Sequence, residues 1–358
     1  MRESASTDAP VSKPVSSDRE PAGVRLTPAE ALAFGERALR RIGYEPEVAL
    51  IIATNLVDAE LCGYDALGLT RIITLAEHPY AKQPRKPVSI VRETPVSAVI
   101  DGGNYVGLYA MYRATEVAID KARTSRFALV GLHNSYLSGR NSYFLELVGR
   151  AGFVGIHLAC SQPVVAPLGG RGPAFGTNPI AFGVPGDPDP VIFDMGTAAT
   201  NHGDLLHAVR LGHLLPENTA IDADGRPTRD PAAALAGAIL TFGGHKGHGL
   251  SFMVQALGLL AGAASVRGEV QDFGFLLLAF DPGLLMPAEQ FKEQLARLIE
   301  RVKATPRQPG VEEILIPSER AFRTRRVRRV EGIVLKQAIH DRIAALSSAV
   351  SSSEDPLR

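Results

Sequence analysis

Gly243-Gly244-His245-Lys246-Gly247-His248-Gly249-Leu250 places four glycines, a lysine and two histidines in eight residues. It has the outline of a phosphate loop. However, Lys246 is followed by Gly247 rather than Ser or Thr, and the glycine spacing is wrong for that motif. Two upstream segments share its character, Ala166-Pro167-Leu168-Gly169-Gly170 and Phe175-Gly176-Thr177-Asn178-Pro179. Exposed backbone N–H groups, a hydroxyl, an amide and one lysine can together hold a phosphate-bearing ligand without a dinucleotide fold. Taken singly, each loop reads equally well as a tight turn between core strands. The usual dinucleotide fingerprint is absent: Gly170-Arg171-Gly172-Pro173-Ala174-Phe175 starts like G-x-G-x-x-G but ends in Phe, with no strand–turn–helix frame. His245 and His248 have no carboxylate or thiol nearby, and neither H-E-x-x-H nor G-x-S-x-G occurs, so no metal site is expected.

Outward from these loops the chain reads as mixed α/β. Thr27-Pro28-Ala29-Glu30 is a helix start, with a capping hydroxyl, a proline in the first turn and a glutamate to complete a capping box. Helices are predicted from about Pro46 to Cys62, Val106 to Arg123 and Pro287 to Lys303. Gly249 to Ala264 reads as a buried helix of small residues. Strands are predicted at 129–132, 155–159, 180–184, 191–193 and 275–280, with a turn at Asp222-Ala223-Asp224-Gly225-Arg226-Pro227. Residues 1–25 carry Ser, Pro and mixed charge without apolar periodicity and read as a flexible tail. The arginines at 320, 323, 325, 326, 328 and 329 are either a phosphate patch or, the preferred reading, a solvated strand or loop balanced by acidic residues elsewhere.

Composition narrows the function. With 38 basic and 38 acidic side chains the net charge is zero, which argues against general nucleic-acid or membrane-surface binding. No apolar run approaches a membrane span, and two cysteines, Cys62 and Cys160, make no disulfide framework. A cytoplasmic location follows from that usage. The 35 glycines in 358 residues exceed the usual ~7% and point to loops shaped by their backbone.

In this order, five segments resemble the malate/L-lactate dehydrogenase family, the NAD(P)-dependent oxidoreductases unrelated to the Rossmann type. They are 166–170; 176–179; Phe193-Asp194-Met195; Ile221-Asp222-Ala223-Asp224-Gly225-Arg226-Pro227-Thr228; and 243–250. The resemblance runs from about Leu26 to Ala345. It implies an atypical, non-Rossmann nicotinamide-binding α/β domain over 96–284, a helical domain built from 26–95 and 285–350, and a homodimer. It also implies NAD or NADP as cofactor, with NADPH slightly ahead, and a small carboxylate-bearing substrate. By resemblance, Gly169, Gly170, Thr177, Asn178, Asp194, Lys246 and Gly247 fall where the family holds its cofactor, and Arg71 where it grips the substrate carboxylate. Asp194 can alternatively be a helix cap, and Arg71 a surface ion-pair partner.

Two positions depart from the family. Its Ser-His-Gly motif is Ala66-Leu67-Gly68 here, and its Asn-Ser-x-His motif is Asn134-Ser135-Tyr136-Leu137, so both imidazoles are leucine. A ketone needs an acid at the moment of reduction, which typically contributes about 10²–10⁴-fold, whereas a protonated imine yields a neutral amine directly. The sequence therefore favours reduction of C=N over C=O next to a carboxylate. Tyr64, Asp65, His133, Tyr136 and Lys246 are the replacement acids considered, with Arg71, Lys246 and Tyr136 taken as the catalytic set. A non-standard NAD(P)-using enzyme and a nucleotide-binding pseudoenzyme are the alternatives.

Overall fold

The computed structural model describes residues 23–263 and 273–348. In chain order the elements are β1 (Gly23–Leu26), α1 (Pro28–Arg41), α2 (Pro46–Leu61), α3 (Arg71–Glu77), β2 (Ser89–Thr94), β3 (Ser97–Asp101), α4 (Gly107–Ser125), β4 (Phe127–His133), α5 (Asn141–Arg150), β5 (Val154–Cys160), β6 (Ile180–Val184) and β7 (Val191–Met195). There follow α6 (His202–Leu211), β8 (Ala220–Ile221), β9 (Pro227–Thr228), α7 (Pro231–Ala236), β10 (Ala238–Ile239), α8 (His245–Leu260), β11 (Gly274–Phe280), α9 (Ala288–Lys303), α10 (Glu319–Glu331), β12 (Ile333–Lys336) and α11 (Gln337–Ser348).

The main sheet has seven strands in the order β2-β3-β4-β11-β5-β6-β7. Only β3–β4 is parallel; the other five pairings are antiparallel. A sheet of this kind has no switch point between parallel halves, which is where a Rossmann fold binds its dinucleotide. The missing fingerprint and the topology agree. The strand Gly274-Phe275-Leu276-Leu277-Leu278-Ala279-Phe280 lies between β4 and β5 with both neighbours antiparallel, so its unbroken apolar run is buried on both faces.

One buried core is continuous from α1 and α2 through β3, β4 and β11 to α5 and α11. A smaller core, around Val165, Phe175, Leu205, Ala220 and Ile239, belongs to residues 164–240. The turn at 222–227 closes this smaller unit, with Asp222 Oδ1 accepting the N–H groups of Asp224 at 3.0 Å and Arg226 at 2.8 Å.

Several expectations change. Residues 23–25, placed in the tail by sequence, form β1, whose register pairs Gly23 with Lys336 and Leu26 with Ile333. The expected boundary at 95/96 falls inside a hairpin, because β2 pairs with β3 from Ser89–Asp101 to Thr94–Ser97. Helix α8 runs from His245 to Leu260 and is not buried all round. Val254 packs with Leu158 of β5 and Leu276 of β11, while Phe252 (57% exposed), Met253 (53%) and Leu260 (69%) face outward. The predicted continuation beyond Ala263 lies outside the described residues. The arginine cluster is helix α10, not a strand or loop. It is balanced by carboxylates as expected: Arg325 with Glu146 at 2.5 Å and Asp58 at 3.0 Å, Arg323 with Glu319 at 2.6 Å, Arg326 with Asp189 at 3.1 Å and Arg328 with Asp65 at 2.7 Å.

Candidate active site

The glycine-rich loops meet. A cleft of about 320 Å³ is lined by Ala166–Gly169 on one side and Thr241–Gly244 on the other, with Ala199 at its wall. The loops are joined by hydrogen bonds from Ala166 N to Ile239 O (2.9 Å) and from Leu168 N to His248 Nδ1 (3.2 Å). Gly169, Gly243 and Gly244 adopt φ of +81°, +54° and +59°, and a Cβ on any of them would meet nothing within 4 Å. Left-handed backbone favours glycine there, and the space beside it is open to a ligand. Gly247 works in the opposite sense. A Cβ on it would lie 2.1 Å from Phe242 O, so only glycine lets the first turn of α8 close onto the 242–244 turn. Gly170 packs its α-carbon against Pro167 and keeps that turn tight, a Cβ there lying 2.7 Å from the proline ring.

Lys246 lies exposed in the first turn of α8, and its ammonium has no hydrogen bond or ion pair among the described residues. No side chain caps this helix. The positive end of a 16-residue helix, a free ammonium and glycine walls make a set of donors that suits a phosphate-bearing dinucleotide.

Thr177, Asn178 and Asp194 are less exposed than the resemblance implies. The Thr177 carbonyl accepts from Thr197 N at 2.9 Å, and the Thr177 hydroxyl has no hydrogen-bond partner among the described residues. Asn178 is fully buried, and its Nδ2 donates to Ser251 O at 2.9 Å and Gln255 Oε1 at 3.0 Å. It ties the loop to α8 instead of reaching into the cleft, which corrects its assignment as a cofactor contact. Asp194 Oδ2 accepts the Ser142 N–H at 2.8 Å and so caps α5. Burial pushes this carboxyl above its ordinary range against that hydrogen bond. The helix-cap alternative holds for Asp194, although the helix capped is α5 rather than one that follows it.

The segment that carries Arg71 rests on a buried acid. Glu60, 1% exposed, accepts the Leu69 N–H at 2.8 Å. Burial, with Asp65 nearby, pushes its carboxyl up to about 8. Gly68 permits the contact, since a Cβ there would lie 2.2 Å from Glu60 Oε1. Arg71 opens α3 two residues after Leu69. Burial lowers its proton affinity, Asp204 works the other way, and no hydrogen bond or ion pair holds the guanidinium among the described residues. A Cβ on Gly203 would lie 3.5 Å from Arg71 Nη2, so the first turn of α6 faces the guanidinium. Leu67 and Leu137 are both half-buried.

Tyr136 leaves the catalytic set. It is 1% exposed and stacks on His78 at 4.7 Å and edge-on to Tyr80 at 5.4 Å. Burial and the neighbouring Tyr44 raise the phenol well above its ordinary value, so it neither meets a substrate nor releases a proton near neutrality. Of the other replacement acids, Asp65 is paired with Arg328, and Tyr64 lies beneath the Arg140 guanidinium at 5.0 Å. Lys246 follows Gly244 of the cleft wall by two residues and so belongs with the cofactor side. The Nδ1 of His133 is buried without a partner among the described residues.

The sequence missed His202, the first residue of α6. It is half-buried, with neither ring nitrogen hydrogen-bonded among the described residues. Burial and then Arg71 hold its imidazole below the ordinary histidine range. The only local signal was a histidine following Thr200-Asn201, and a helix start alone does not distinguish a catalytic ring from a surface one.

A model of the malate/L-lactate dehydrogenase family matches residues 26–344. The L-sulfolactate dehydrogenase of Methanothermobacter thermautotrophicus is 37% identical over 335 residues, covering 90% of this chain and 96% of that protein. A Delta(1)-pyrroline-2-carboxylate/Delta(1)-piperideine-2-carboxylate reductase of Pseudomonas putida is 34% identical over 333 residues, covering 88% and 94%. Among solved structures, the malate dehydrogenase of Pyrococcus horikoshii superposes with a TM-score of 0.80 at 30% identity, covering 92% of this chain and 97% of that one.

Proposed function

The chain belongs to the malate/L-lactate dehydrogenase family of oxidoreductases, and from that premise we propose that it oxidises or reduces a small carboxylate-bearing substrate at the carbon next to the carboxylate. The observation that carries this is Arg71, a partly desolvated guanidinium without a hydrogen-bond or ion-pair partner among the described residues, close to the segment that also lines the glycine-walled cleft. A planar guanidinium can fork onto a carboxylate through two parallel hydrogen bonds, which fixes the position and the tilt of the adjoining carbon.

Each residue then has a stated task. Gly169, Gly170, Gly243, Gly244 and Gly247 shape a cradle for NAD or NADP. Lys246 offers a counter-charge for phosphate, and NADPH is slightly preferred over NADH in this reading. The Thr177 hydroxyl is left available for a ribose or carboxamide. A nicotinamide cofactor, when bound by these residues, would supply or accept a hydride. Leu67 and Leu137 exclude water from the reacting carbon.

The bond reduced is C=N or C=O. The paired leucines favour C=N, because a protonated imine needs no further acid. His202 beside Arg71 favours the second reading, a 2-oxo acid and its 2-hydroxy partner. The outward Phe252, Met253 and Leu260 form an apolar face on α8 that a second copy of the chain would cover, which supports a homodimer. Both cysteines are free and buried, consistent with a reducing, cytoplasmic location.

The experiment is a fluorescence titration with NADH and NADPH, followed by absorbance assays with 2-oxo acids and cyclic imine acids. Failure of both cofactors to bind overturns the proposal. Binding without turnover of either class returns the pseudoenzyme alternative.

A further inference from the structure

We propose that His202 is the acid–base residue of this site, exchanging the proton of the substrate oxygen in place of the two family histidines that are leucine here. The inference rests on the carboxylate-oxidoreductase reading above and deepens it by selecting a 2-hydroxy or 2-oxo acid.

Two observations place the ring. The residue after it, Gly203, faces the Arg71 guanidinium: a Cβ there would lie 3.5 Å from Nη2. Three residues before it, Ala199 lines the cleft and is pinned there by its N–H to Leu240 O at 2.8 Å. At no more than ~3.6 Å per residue, the His202 Cα lies within ~11 Å of the cleft wall. One short segment, 199–203, therefore spans from the cofactor cradle to the carboxylate-binding arginine, and His202 is the titratable side chain on it. The ring itself is uncommitted. Its Nδ1 is closed off from solvent without a partner, and Nε2 has no protein partner among the described residues.

The charged group acting on it is Arg71 from α3, and Asp204 of its own helix acts on Arg71 in turn. Asp204 is held by Asn201 Nδ2 at 3.0 Å. Burial, and then the guanidinium, favour the neutral imidazole, the form needed to accept a proton. In the oxidising direction the substrate O–H bond breaks and its proton passes to an imidazole nitrogen. The electron pair of that bond forms the C=O, and the α C–H leaves as hydride to the oxidised nicotinamide. The imidazolium then releases its proton to solvent. Reduction reverses each movement, with the proton taken up first. A substrate carboxylate bridging to Arg71 offsets that arginine's positive charge and so makes protonation of His202 easier once substrate is bound.

The test uses His202→Asn and His202→Gln in the full-length protein, with Arg71→Ala as companion. Oxidation of a panel of 2-hydroxy acids, sulfolactate and malate among them, is followed across pH. The variants should lose about 10²–10⁴-fold in kcat with KM changed less than about three-fold, and the acid limb of the wild-type kcat profile should disappear. Added imidazole should restore part of the rate in His202→Asn. A second readout needs no turnover: the His202 ring resonance should shift saturably on adding oxamate, with and without NADH, and the shift should vanish in Arg71→Ala. A variant that keeps its rate and its acid limb overturns the inference. So does a His202 resonance that ignores oxamate. Wild type that binds neither NADH nor NADPH overturns the broader reading instead, so the two failures are distinguishable.

Discussion

Replacing Glu60 with glutamine should raise stability at alkaline pH and leave it nearly unchanged in mild acid. Glu60 is buried under the 65–71 segment, where its Oε1 receives the Leu69 N–H. Its carboxyl has an ordinary value of 4.5 and is pushed to about 8 in the fold, by burial first and Asp65 second. A carboxyl raised in this way binds its proton more tightly folded than unfolded. Its contribution is therefore full below pH 4.5, is lost as pH rises towards 8, and stays lost above it. At ~1.4 kcal/mol per pH unit the loss is on the order of 3–5 kcal/mol, most of it between pH 5 and 8. The amide introduced by Glu60→Gln would keep an acceptor for Leu69 N–H and offer a donor towards Asp65, matching the protonated acid without its titration. Urea unfolding at pH 5, 7 and 9 gives the comparison: the two proteins should be similar at pH 5, with Glu60→Gln pulling ahead by pH 9. Because Arg71 follows Leu69 by two residues, the wild-type KM for a carboxylate substrate should also climb above pH 8 and that of Glu60→Gln should not. Parallel stability curves for the two proteins would refute the reasoning.

Acid tolerance should rest partly on His157, which is completely buried between Phe144 and Phe275 and pushed down to about 3 by burial. Its contribution is present above the unfolded value of 6.5 and lost as pH falls towards 3, so His157→Phe should flatten the decline of Tm between pH 7 and 4. Gly247→Ala should abolish NADH and NADPH fluorescence binding, because the new methyl meets Phe242 O at 2.1 Å, whereas Gly249→Ala, with open space around it, should bind normally. Arg71→Ala should raise KM for the carboxylate substrate by tenfold or more, since a bidentate charged pair is worth ~1.5–3 kcal/mol; an unchanged KM removes Arg71 from the site.

What could be read along the chain was whatever depended on near neighbours. The capping box at Thr27 forms as spelled, with Thr27 N to Glu30 Oε2 at 2.8 Å and Glu30 N to Thr27 Oγ1 at 3.2 Å. β6 spans 180–184 as predicted, and β4, β5, β7 and β11 are found at the predicted places with ends one or two residues longer. Strands β1 and β12 gave no such signal. Each is four residues long, and each is defined by a partner at the far end of the chain. The arginines of α10 similarly show their meaning only through Glu146, Asp58, Asp189 and Asp65, which other elements bring to them.

The sequence by itself determined the family, the mixed α/β class, the glycine-rich loops and the leucines at 67 and 137, because these are patterns of residue type and spacing. Only the tertiary structure decided what the polar side chains do. It buried Tyr136 among aromatic rings, gave Asn178 to α8 and Asp194 to the α5 N-terminus, and set His202 beside Arg71. Residue type fixes which hydrogen bonds and protons a side chain can offer, but burial and the groups packed against it decide which of them are used.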